Sequence, residues 1–87
     1  MANKIKIIIA EDHALYRDGL KTMLSSHKDF DIIAEADNGS TLIKLFEFHK
    51  PDIVLMDINM PILNGIEATK FVTAHFNDTK VIDIQKC

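Results

Sequence analysis

Three acidic residues stand directly after two runs that are apolar on both faces. Glu11 and Asp12 follow Ile7-Ile8-Ile9-Ala10, and Asp57 follows Ile53-Val54-Leu55-Met56. If the two runs are neighbouring parallel strands, the three carboxyl groups converge on one edge. At about 5 Å and an effective dielectric near 20, each pair of charges repels by roughly 3 kcal/mol. Such a cluster holds a proton or recruits a cation. Oxygen ligands at a wet edge suit a hard divalent ion, and Mg²⁺ typically takes one or two carboxylates, several waters and a substrate phosphate. A carboxylate beside Mg²⁺ can itself be the nucleophile and form an aspartyl-phosphate, while the metal neutralises charge on the transferring group. Asp57 is the better nucleophile, because a buried strand end fixes its position; Glu11 and Asp12 open a loop and look like the metal side. Each acid also has a plainer reading, Asp12 as the N-cap of a following helix and Asp57 as a polar stop at a strand end.

The elements that must position these acids are legible as an alternation of two periods. Lys4 to Ala10 is rich in β-branched residues and becomes apolar on both faces, as in a strand covered by helices. From about His13 to Ser26, the residues Leu15, Gly19, Leu20, Met23 and Leu24 share one helical face, with Arg17, Asp18 and Lys21 on a solvated one. A second strand over about Phe30 to Ala36 ends at Asp37-Asn38-Gly39, a turn and helix-entry signal. The second helix runs from about Ser40 to His49, with Leu42, Leu45, Phe46 and His49 inward, and stops at Lys50-Pro51. After the Ile53–Asp57 strand comes a loop from Asn59 to Gly65. A third helix follows with Ile66, Thr69, Val72, Thr73 and Phe76 inward, then a fourth strand over Lys80 to Ile84. Such βαβ repetition implies right-handed crossovers and a doubly wound α/β layer structure with a parallel sheet. The working site of such folds lies beyond the carboxyl ends of the strands where the strand order reverses.

Composition bounds the alternatives. The 87 residues make at most one domain with a thin stability margin, and 47% hydrophobic with 26% charged residues excludes a disordered or low-complexity chain. A net charge of −3 gives no electrostatic footprint for a generic nucleic-acid binder. No apolar run approaches the roughly 20 residues of a membrane helix, and the first residues carry no signal-peptide pattern. The lone Cys87 cannot form an intramolecular disulfide. A soluble, cytoplasmic chain is expected. The histidines at 13, 27, 49 and 75 lack ligand spacing and read as surface or helix-end residues, and Met23, Met56 and Met60 as packing residues.

The segment Asp57-Ile58-Asn59-Met60-Pro61-Ile62-Leu63-Asn64-Gly65 resembles the D-x-x-M-P-x-x-x-G signature of response-regulator receiver domains of two-component systems. Ala10 to Leu20 resembles the same family, in the branch usually carrying a LuxR-type helix-turn-helix output domain, and Glu35 to Gly39 and Lys50 to Asp57 match in register. The resemblance runs from Lys4 to about Ile82, leaving 83–87 as a divergent tail. It implies a flavodoxin-like receiver fold. It also implies that Asp57 accepts a phosphoryl group from a histidine kinase, and that Glu11, Asp12, Asp57 and the backbone carbonyl of Asn59 hold Mg²⁺. Met60, Pro61 and Gly65 shape the loop. In the family the first helix also helps dock the kinase's phosphohistidine domain.

Two family positions are not matched. Gln85 stands where the family has a switch Ser or Thr after strand four, and the Lys that ends strand five has no counterpart, Lys86 being out of place for it. The family has five βα units, so the chain reads as truncated after strand four, with the last strand and two helices missing. The expectations are weak Mg²⁺ affinity, poor phosphate acceptance, no switching, and self-association through an exposed strand-four edge. Asp83 is costly if buried and tolerable on an open face. The competing reading is a receiver-like module that is not phosphorylated and works through protein contacts. An aspartyl-phosphate phosphatase of the haloacid dehalogenase type is disfavoured by Asn59, where that family has an acid, and an FMN carrier by Glu11-Asp12. No nucleic acid and no membrane is expected to be bound by this segment.

Overall fold

The computed structural model describes residues 4–57, 65–75 and 78–84. Seven elements alternate along the chain: β1 (Ile5–Ala10), α1 (Ala14–Ser25), β2 (Phe30–Ala36), α2 (Gly39–Leu45), β3 (Ile53–Asp57), α3 (Gly65–His75) and β4 (Lys80–Ile84). The strands form one parallel sheet in the order β2-β1-β3-β4. The chain steps outward from β1 to β2, then crosses back to place β3 on the other side, so the order reverses between β1 and β3. None of the described helices is long and apolar enough to cross a membrane.

Alternation along the strands divides the core. Ile8 and Ala10 of β1 and Val54 and Met56 of β3 face one way and pack with Leu42 and Phe46 of the second helical segment and Ala68 and Val72 of α3. Ile7 and Ile9 point to the other face and are equally buried, and α1 lies against β2. The β1–β2 register carries one irregularity: Ile7 pairs with Ile32, but Ile8 pairs with Ala34, so Ile33 is an extra residue on β2. This bulge puts Ala34 and Ala36 beside Ile8 and Ala10, and Glu35 beside Ile9. In an unbroken ladder Glu35 would fall level with Ala10, on the apolar α2–α3 side.

The helices depart from their sequence-based pattern in identifiable ways. No residue of α1 is buried, and Leu15 and Met23 are exposed rather than inward. Its sheetward face is instead Arg17, Leu20, Lys21 and Leu24, half-buried at i, i+3, i+4 and i+7. From this face two basic side chains reach Glu35 of β2, Arg17 at 3.0 Å and Lys21 at 2.8 Å. The helix is rotated away from the phase its leucines suggest.

In α2, Asn38 is the N-cap, its side chain accepting from the Thr41 amide at 2.8 Å, as the helix-entry signal implies. Beyond Leu45 the amides of Phe46, Glu47 and Phe48 bond three residues back, so the segment expected to continue as helix to His49 tightens into turns. On α3, Val72 is buried and Thr69 half-buried, but Ile66 and Thr73 are exposed, and Ala68 is the second buried residue. Phe76 lies outside the described residues. In β4, Asp83 pairs with Met56 in register and is exposed, so it carries no burial cost.

Candidate functional site

Sheet register brings the acids together. Ala10 pairs with Met56, so the next residues along the two strands, Glu11 and Asp57, emerge side by side at the carboxyl edge, at the reversal of strand order. Both are sealed from solvent, Glu11 at 0% and Asp57 at 1% exposure. One side-chain ligand atom each from Glu11, Asp12, His13 and Asp57 lies within 4.8 Å of all the others. The convergence expected of Glu11, Asp12 and Asp57 is therefore present. At that spacing each pair of ionised carboxylates repels by about 3 kcal/mol in an effective dielectric of about 20. The donors are hard carboxylate oxygens with one imidazole, a set that fits a small divalent cation.

The local backbone explains how the corner is held. The Glu11 amide donates to the Ala36 carbonyl at 2.9 Å, extending the β1–β2 ladder by one residue. The amide of His13 donates to Glu11 Oε2 at 2.9 Å, folding the chain back on the acid. His13, not Asp12, is the N-cap residue of α1, and an Asp12 carboxylate oxygen belongs to the acid cluster. The His13 ring sets Nδ1 3.3 Å from both Glu11 Oε2 and Asp12 Oδ1. Its helix-end place agrees with the sequence pattern, whereas its presence among the acids was not anticipated; adjacency to Asp12 was the only signal.

Arg17 closes the corner from α1. Its Nη1 donates to the Glu11 carbonyl at 2.7 Å, and its Nε donates to Glu35 Oε1 at 3.0 Å. Lys21 Nζ holds the second Glu35 oxygen at 2.8 Å. The Lys21 hydrogen bond, helped by its charge and by Arg17, holds the Glu35 carboxyl below its ordinary value. The same bond to Glu35 raises the Lys21 ammonium. Arg17 and Lys21 are thus engaged with the sheet rather than forming a solvated face, and i, i+4 spacing was the only sequence hint of their shared target.

Asn59, Met60 and Pro61 lie outside the described residues, as do Gln85, Lys86 and Cys87; Gly65 opens α3. Ile84, the last residue of β4, pairs with Asp57. Thr79 is at the other end of that strand, its hydroxyl donating to the Pro51 carbonyl at 2.8 Å. A cavity of about 460 Å³ lined in part by Phe46, Pro51, Asp52 and Thr79 also lies there, at the amino edge of the sheet and away from Glu11, Asp12 and Asp57.

Comparison with known proteins gives one answer. The family described as the response regulator receiver domain matches residues 7–85. The transcriptional regulatory protein DegU of Brevibacillus brevis is 42% identical over 80 residues, which cover 92% of this chain and 34% of that protein. The transcriptional regulatory protein LnrK of Bacillus subtilis (strain 168) is 44% identical over 78 residues, covering 90% of this chain and 36% of that one. The chain spans about a third of the length of these curated relatives. Among solved structures, the response regulator domain of Thermotoga maritima CheB superposes with a TM-score of 0.87 at 34% identity, over 93% of this chain and 60% of that chain.

Proposed function

This chain belongs to the response regulator receiver family, and on that premise we propose that Asp57 accepts a phosphoryl group from the phosphohistidine of a histidine kinase. Glu11, Asp12 and Asp57 hold Mg²⁺, with the Asn59 carbonyl completing the set and Met60, Pro61 and Gly65 shaping the loop around it. The observation that carries the reading is the pair of buried carboxylates, Glu11 and Asp57, at adjacent strand ends with an Asp12 ligand atom within 4.8 Å. When bound, Mg²⁺ offsets the negative charge of both the carboxylates and the incoming phosphoryl oxygens.

The chain's own part is nucleophilic. An Asp57 carboxylate oxygen attacks phosphorus in line with the phosphorus–nitrogen bond of the phosphohistidine. A P–O bond forms, the P–N bond breaks, and its electron pair goes to the departing imidazole nitrogen. The product is an aspartyl-phosphate. Burial of Asp57 fixes the attacking oxygen and limits water near the acyl phosphate. The chain acts as a stoichiometric acceptor in phosphorelay signalling, in the cytoplasm, and not as a turnover enzyme. Control of transcription, named for the relatives, would act through an output domain. Gln85 in place of a small hydroxyl residue makes acceptance slow and the conformational response weak.

The test is incubation with acetyl phosphate and Mg²⁺ followed by intact mass. Gain of one phosphoryl group that Asp57→Ala abolishes is the expected result. No gain at any Mg²⁺ concentration, with retained binding to a histidine kinase, would replace this reading with a module acting by contact alone, which Gln85 favours.

A further inference from the structure

We propose that Arg17 is a positioning residue of the carboxylate site, setting the geometry at which Glu11 and Asp12 take up Mg²⁺; this rests on the reading of the site given above. The Glu11 carbonyl that Arg17 Nη1 grips at 2.7 Å belongs to the peptide joining Glu11 to Asp12. One hydrogen bond therefore orients the plane from which both acidic side chains leave. The other side of Glu11 is already fixed, since its amide donates to Ala36 in β2. Together the two bonds fix the peptide planes on both sides of the Glu11 Cα.

The guanidinium is itself braced. Its Nε bonds Glu35 Oε1 at 3.0 Å, and Glu35 cannot swing away because Lys21 holds its other oxygen at 2.8 Å. A planar fork with two fixed acceptors loses little entropy in holding one geometry, which a lysine at the same place could not reproduce. The Arg17 side chain is only 20% exposed, so water competes weakly for these bonds. Arg17 also ties the first turn of the helix to its N-cap, its amide donating to the His13 carbonyl at 2.9 Å. Both its backbone and its side chain thus close the Glu11–His13 corner.

Mg²⁺ demands near-ideal octahedral geometry, whereas Ca²⁺ accepts irregular and larger shells. A residue that sets ligand geometry should therefore shift the preference between the two ions, which loss of stability alone does not do. The experiment is calorimetric titration of the whole chain with Mg²⁺ and with Ca²⁺ for wild type, Arg17→Ala, Arg17→Lys and Glu35→Ala, each checked for folding by circular dichroism. Arg17→Ala is expected to weaken Mg²⁺ binding about tenfold and Ca²⁺ binding only about twofold. Arg17→Lys should behave like Arg17→Ala, and Glu35→Ala should shift the ratio the same way by less. An unchanged Mg²⁺-to-Ca²⁺ ratio in Arg17→Ala overturns the proposal, whether the two affinities hold or fall together. If Arg17→Ala does not fold, an unchanged ratio in Glu35→Ala does so. Wild-type chain that takes up no Mg²⁺ would sink the reading of Asp57 itself; uptake with an unshifted ratio sinks only the part assigned to Arg17.

Discussion

At the scale of single residues, the proposed reading makes the site a balance of repulsions that a cation would resolve. Mg²⁺ at ten times its dissociation constant should stabilise the chain by about 1.4 kcal/mol. Asp57→Asn should lose most of that gain while unfolding at a higher midpoint than wild type when no metal is present, because one buried carboxylate charge is gone; urea titrations with and without Mg²⁺ check both. The Glu35 pair makes a separate prediction in pH. With its folded value below the ordinary 4.5, Glu35 contributes stability that is complete above about that pH and fades as pH falls through the lowered value. Lys21, raised above 10.5, contributes below that pH and loses its contribution as pH rises through the raised value. The difference in unfolding midpoint between wild type and Glu35→Gln should therefore be widest between these limits and close in acid, by a modest amount since both groups are partly solvated. Glu11 and Asp57 were legible in the sequence because each ends an apolar run. Arg17 was not, since a charged residue on a helix normally reads as solvent-facing, and only the partner on another strand reveals otherwise.

At the scale of elements, the two faces of the sheet should respond differently to substitution. Leu42→Ala on α2 removes a side chain with 0% exposure and should cost about 2–5 kcal/mol, against a thin total for so short a chain. Leu15→Ala on α1, where the side chain is 86% exposed, should change stability by no more than about 0.5 kcal/mol. Asn38→Ala, which deletes the bond to the Thr41 amide, falls between them at about 1 kcal/mol. Denaturation midpoints for the three variants test the order. Strand positions and the parallel sheet were readable from β-branched runs, which have one physical cause. The phase of α1 was not readable, because two of the four residues on its sheetward face are charged and their partner, Glu35, stands on another element. The face of α3 was half readable: Val72 fits the period, but the small Ala68 gives a weak hydrophobic signal.

At the scale of the whole molecule, β2 and β4 are the outer strands of the four. Ile82 on β4 is 47% exposed, and no strand among the described residues pairs with its outer side. Unpaired edge amides and an apolar side chain template pairing with another strand. Light scattering across a concentration series should show self-association that Ile82→Lys reduces, and a mass fixed at one chain throughout would count against it. The extra residue in β2 has a consequence for how this protein can vary. Substituting Ile33 would alter packing locally, but removing it would advance the rest of the strand by one step and turn Glu35 toward Ala10, Leu42 and Met56. Arg17 would then lose its footing although no residue of the acidic corner had been touched. Length here is under stricter control than identity: a lineage can rewrite the letters of this strand far more freely than it can change their number.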